Sequence, residues 1–145
     1  MKRRDFVGTL AAVTAAVTAV TAVTPARAST DAVAAAQAAA DAWLAALDAA
    51  DYGASWDAAA ALFRNAVPRS DWEQAARATR SPLGAVRERQ AAGAQFTRTL
   101  PGAPDGEYVV IQYRTRFEHK AAAVETVTPM RDPDGQWRVS GYFIR

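Results

Sequence analysis

The sequence predicts an α+β fold: three N-terminal helices packed on one face of a curved, four-stranded antiparallel sheet. Three observations carry this expectation. Residues 31–50 are rich in alanine, and their bulkier apolar side chains recur at helical spacing. Residues 107–145 hold three runs of Val, Ile, Thr, Tyr and Phe, with the turn run Arg131-Asp132-Pro133-Asp134-Gly135 between the second and third. Helices come first and strands afterwards, the order of a sheet covered on one side.

Ahead of this fold lies a segment with the anatomy of an export signal. Met1-Lys2-Arg3-Arg4 is a basic start, Val7 to Val23 is a mild apolar run, and Pro25-Ala26-Arg27-Ala28 offers a small-residue cleavage site before Ser29. The paired Arg3 and Arg4, followed by Asp5 and Phe6, resemble a twin-arginine signal. Thr9, Thr14, Thr18 and Thr21 keep the run weakly hydrophobic, and Arg27 places a positive charge beside Ala26 and Ala28, two features that suit that route. The expected organisation is a signal peptide at 1–28 and a single domain at 29–145, periplasmic or secreted. The alternative is an uncleaved anchor, but a spanning helix needs about 20 predominantly apolar residues and the threonines interrupt this one. With no cysteine in the chain, a lipid-anchored form is excluded.

Residues 1–28 carry Lys2, Arg3, Arg4 and Arg27 against Asp5, a net of +3. The whole chain is +2, so residues 29–145 come to −1. The basic character therefore belongs to the signal, and it implies no nucleic-acid partner and no membrane partner beyond export. The remaining 117 residues suffice for one core without disulfides.

In the first helix, Val33, Ala36, Ala40, Trp43, Leu44 and Leu47 form one stripe. Asp31, Gln37, Asp41 and Asp48 fall off it as a solvated face, and Thr30 is the expected N-cap. A second helix is expected from a cap at Asp51 to about Asn65, stopped by Pro68. A third starts with the capping box Ser70-Asp71-Trp72-Glu73, and Ser81-Pro82 opens a short turn to Gly84. Extended structure follows from Val86, with a bulge or bend at Gly93.

The simplest hairpin turn after the next strand is His119-Lys120. It sets Tyr113 opposite Thr126 and Arg114 opposite Glu125; in the last hairpin Met130 opposite Trp137 sets Thr126 opposite Gly141. The face expected under the helices then carries Val109, Ile111, Tyr113, Thr115, Phe117, Ala122, Val124, Thr126, Thr128, Met130, Trp137, Val139 and Phe143. The open face carries Arg114, Glu125 and Tyr142 in one row, an ion pair beside an aromatic ring, a dimer contact or a polar binding surface.

Asp51-Tyr52, Ser55-Trp56, Pro82-Leu83-Gly84, the run Leu100 to Tyr108, Val124 to Met130 and Asp134 to Tyr142 together resemble the bacterial family called domain of unknown function 4019. The resemblance covers nearly all of 29–145 and brings no catalytic positions. The order of elements also resembles the wider group related to nuclear transport factor 2, whose curved sheet wraps helices into a cone. That likeness implies a fold and no activity.

The inventory of reactive groups is short. His119, the sole histidine, falls at the hairpin tip with no second ligand or orienting carboxylate, and reads as a solvated turn residue. No thiolate, His-rich zinc site, G-x-S-x-G, P-loop or dinucleotide fingerprint is present, so no catalytic residue, metal or cofactor is expected. If a pocket lies among the covered aromatics, Tyr113, Thr126 and Thr128 with Trp56 are its candidate lining. The leading expectation is a non-catalytic binding or interaction module for a small molecule or protein. The alternatives are an isomerase or dehydratase working through Tyr and Asp or Glu, which requires a buried carboxylate near the aromatics, and a homodimer through the Arg114, Glu125 and Tyr142 row.

Overall fold

The structure is a computed structural model that describes Ala22 and residues 24–145. The basic start with Arg3, Arg4 and Phe6, and most of the apolar run, lie outside the described residues. The order is α1 (Pro25–Asp48), α2 (Tyr52–Asp57), α3 (Ala61–Ala66), α4 (Arg69–Arg80), a 3-10 turn (Ser81–Leu83), then β1 (Val86–Thr97), β2 (Tyr108–Phe117), β3 (Lys120–Arg131) and β4 (Trp137–Ile144). The strands form one antiparallel sheet in sequential order, β1-β2-β3-β4.

α1 lies against all four strands. Ala36, Ala40, Trp43, Leu44 and Leu47 are buried, as their spacing predicts, and meet Val109, Ile111, Tyr113, Val127 and Val139 from the sheet. The alanines let the helix sit close, while Trp43 reaches across to Tyr142 and Trp72. Three indoles of the helical layer have their N–H satisfied: Trp43 donates to the Ser55 carbonyl at 2.8 Å and Trp72 to the Ser55 hydroxyl at 2.9 Å. Trp56 donates to the Val67 carbonyl at 2.8 Å. These bonds make Ser55 a buried hub that ties α1, α2 and α4 together.

Several helix boundaries differ from expectation. α1 starts at Pro25, so Thr30 is no cap; its hydroxyl donates back to the Ala26 carbonyl at 2.9 Å. Ala26 and Ala28 are exposed in the first turn, and the expected cleavage bond lies within it. Asp51 does cap α2, accepting from the Ala54 N–H at 3.2 Å. The expected second helix is split, giving four helices among the described residues where three are expected. The break comes where Ala59 and Ala60 are buried and the Ala60 N–H leaves the helix to bond the Val139 carbonyl of β4 at 2.8 Å. Ser70 is not an N-cap. The Pro68 carbonyl already accepts from the Trp72 N–H, so the helix begins at Arg69, and Glu73 pairs with Arg69 instead.

The sheet carries four irregularities, one of them at the start of β1 between Val86 and Glu88, and the later ones decide which side chains lie under the helices. At Gly93 the β1–β2 register shifts, as the glycine predicts. The β2–β3 turn is Glu118-His119, not His119-Lys120, with Phe117 opposite Lys120. One extra residue at Ala121–Ala122 then brings Ala123 opposite Thr115 and Glu125 opposite Tyr113. In β4, Ser140 is extra, so Val139 faces Pro129 while Gly141 faces Thr128 and Tyr142 faces Val127.

Each bulge rotates the rest of its strand by half a turn. The expected faces of β3 and the end of β4 are therefore exchanged. Glu125 and Tyr142 go beneath the helices. Thr126, Thr128, Met130 and Phe143 go to the open face with Gln112 and Arg114, and Phe143 is 54% exposed.

Candidate functional site

Bulge geometry creates a buried ionic network where α1 and α4 meet the sheet. Glu125 is fully buried at 0% exposure. Its carboxylate accepts from Arg89 Nε at 2.8 Å and Nη2 at 3.3 Å, from the Thr115 hydroxyl at 2.5 Å, and from the Tyr142 hydroxyl. Arg89 spans to α1 as well, donating to Asp48 through Nη1 at 2.6 Å and Nη2 at 2.9 Å. Arg80, only 5% exposed, reaches the same Asp48 carboxylate at 2.6 Å and lies over the Phe117 ring. Two guanidinium and two carboxylate charges thus balance within one cluster joining α1, α4, β1 and β3. A buried carboxylate needs such pairing to remain ionised.

Electrostatics follow from burial and these partners. Burial alone would raise the Asp48 pKa, but the bonds and charges of Arg89 and Arg80 outweigh it and hold it below the usual carboxylate value. Burial alone would lower the Arg89 pKa, but the bonds and charges of Asp48 and Glu125 outweigh it, so its guanidinium is held more firmly protonated than usual. Tyr142 is pushed up by burial and then by the Glu125 charge; Tyr113 is pushed up by burial and then by Asp41. Both phenols keep their protons and act as donors.

Beside this network a cleft of about 360 Å³ opens between α1 and the β1–β2 edge. It is lined by Gln37, Asp41 and Leu44 from α1, Arg89 and Ala91 from β1, and Tyr113 from β2. The Tyr113 hydroxyl donates to Asp41 Oδ1 at 2.8 Å across its mouth. On the opposite side of the sheet, a groove of about 410 Å³ is lined by Glu88, Gln90, Arg114 and Arg116 over Ala122 and Val124.

The four expected pocket residues are not brought together. Tyr113 lines the cleft. Trp56 packs in the helical layer against Val67, and Thr126 and Thr128 face the other side of the sheet, because of the Ala121–Ala122 bulge. Gly141 stands opposite Thr128, where an added Cβ would meet only the Thr128 Cβ at 3.9 Å, so the glycine opens no space beside Tyr113. The same bulge breaks up the expected surface row: Arg114 is exposed, while Glu125 and Tyr142 lie under α1. His119 is 62% exposed at the turn. Among the described residues no group of three or more His, Asp or Glu side chains is placed to hold a metal ion.

Sequence reasoning missed Asp41, Asp48, Arg80 and Arg89 as members of the network and the cleft. The one available signal was spacing: Asp41 and Asp48 lie seven residues apart, two helical turns on the same side of α1.

The arrangement defines an α+β domain in which helices cover one face of a meander and a charge-balanced cluster pins the longest helix to it. The chain belongs to the family described as protein of unknown function (DUF4019), whose profile matches residues 39–142. No curated protein and no solved structure matches the chain. The family span takes in the whole ionic network and, of the cleft, all but Gln37.

Proposed function

We propose that this is an exported binding module without catalytic activity, holding a small polar molecule in the cleft between α1 and the β1–β2 edge. The observation that carries this reading is convergence: Gln37, Asp41 and Tyr113 point polar groups into one cleft whose wall is fixed by the Arg89 network. Preformed concave sites with a few placed polar groups are what small ligands use. Export rests on the anatomy of residues 1–28, and the helices-then-sheet order supports a cone of the nuclear transport factor 2 type. Among the described residues no helix is long and apolar enough to cross a membrane.

An enzymatic reading has one observation in its favour, the Asp41–Tyr113 pair at the cleft mouth with a buried carboxylate, Glu125, behind it. Two facts weigh against it. Glu125 already accepts four hydrogen bonds and does not line the cleft, and burial makes Tyr113 a poorer proton donor. Self-association through the open face around Arg114 and Phe143 is the remaining alternative.

Native mass spectrometry of the protein purified from its own host tests the proposal. The expected species starts at Ser29 and carries a non-covalent small-molecule adduct. A mass that retains Met1 would contradict export, and a bare chain under gentle desolvation would contradict the binding role.

A further inference from the structure

The cleft has a sign, and the sign names a ligand class. Two charged side chains line it, Asp41 from α1 and Arg89 from β1, and three more stand behind Arg89 in the network: Asp48 from α1, Arg80 from α4 and Glu125 from β3. Four of the five pair by charge: Arg80 reaches Asp48 through Nη2 at 2.6 Å, and Arg89 reaches Asp48 and Glu125 at 2.6 and 2.8 Å. Asp41 stands outside that balance. Among the described residues its carboxylate has one partner, the neutral Tyr113 hydroxyl, on Oδ1.

Asp41, an exposed residue of the cleft lining, thus keeps its negative charge and has Oδ2 free to accept. Gln37, one turn earlier on the same face of α1, adds an amide oxygen that can accept. Arg89, the only cation in the lining, donates through Nε, Nη1 and Nη2 to Asp48 and Glu125 and has little left to offer an anion. Leu44 and Ala91 form the apolar part of the wall.

We infer that the cleft takes a small organic cation, a primary ammonium on a short apolar body. The ammonium sits between Asp41 and Gln37, and the apolar body lies against Leu44 and Ala91. An ammonium brings three donors and no acceptor, which suits the free Asp41 oxygen and the Gln37 amide oxygen, and the Asp41 charge decides the sign. This rests on the binding role proposed above and goes further by fixing the ligand's charge.

The test is a titration of ¹⁵N-labelled protein with n-butylammonium chloride, with sodium butyrate as the anionic counterpart of matched size. Saturable shifts are expected at the amides of Gln37, Asp41, Ala91 and Tyr113 with n-butylammonium in the millimolar range, and none with butyrate. Asp41→Asn is expected to weaken that binding by about fivefold, the scale of a partly exposed ion pair. Asp31→Asn, an exposed carboxylate on the same helix but outside the cleft, should leave it unchanged. Butyrate shifting the same amides, or D41N binding n-butylammonium as well as the parent, would overturn the cation assignment while leaving the binding role standing. Shifts spread over the surface with neither probe localised would also overturn it, and the native mass then decides the binding role alone.

Discussion

Replacing Glu125 with glutamine removes one charge from the buried network and changes almost no volume. The carboxylate is wholly buried and accepts from Arg89 twice, from Thr115 and from Tyr142. Glutamine offers a single acceptor oxygen, and its amide nitrogen must face a donor. Removing one partner of a buried ion pair costs about 3–5 kcal/mol when the other is stranded. Arg89 is not stranded, because both Asp48 oxygens still hold it. The cost therefore falls at the low end, about 3 kcal/mol, a large share of the roughly 5–15 kcal/mol that holds a domain folded. Urea unfolding followed by tryptophan fluorescence reads it directly, since Trp43 and Trp72 sit in the core. Glu88→Gln is the control, because Glu88 pairs with Arg116 at 3.4 Å on the exposed face and should cost about 0–1 kcal/mol. If E125Q and E88Q lose the same small amount, Glu125 is a surface residue and the reasoning from the bulge fails.

Three other outcomes follow from the same geometry. Asp48 is held below its ordinary pKa, so its contribution is present above about pH 4 and is lost as pH falls further; acid unfolding monitored by circular dichroism should set in there, and D48N should be less stable at pH 7 with a flatter acid limb. Tyr113 and Tyr142 are raised, so the stability they confer holds below about pH 10 and is lost above it; Y113F with Y142F should shift alkaline unfolding to higher pH in an absorbance titration. At Gly84, where φ is +72° and an added Cβ would meet Glu118 Cβ at 2.9 Å, alanine should cost about 1–3 kcal/mol in the same urea assay.

The helical half of the fold was largely legible in the sequence. A stripe of alanines with Trp43, Leu44 and Leu47 has only one face to bury, and Asp51, Pro68 and Gly93 act through backbone chemistry that needs no tertiary context. The sheet's faces were not legible. From Ala121 to Arg131 the even positions are Ala122, Val124, Thr126, Thr128 and Met130, without a charge, and the odd ones include Glu125. Patterning alone therefore assigns Glu125 to solvent. The residues that overturn this, Ala121–Ala122 and Ser140, have no left-handed backbone requirement and leave no mark in the sequence. The ionic partner that makes burial of Glu125 tolerable, Arg89, is 36 residues away on an edge strand. The cleft was missed for the same reason, since it depends on which strand face meets α1.

Burial of Glu125 and the cleft beside it both depend on the β2–β3 register, and cross-strand Hα–Hα contacts measured by NMR test that register most directly. They should join members of the set Ile111–Val127, Gln112–Thr126, Tyr113–Glu125 and Arg114–Val124, in alternation along the strands. Contacts joining Tyr113 to Thr126 and Arg114 to Glu125 would return Glu125 to the open face, dissolve the network behind the cleft and contradict the account.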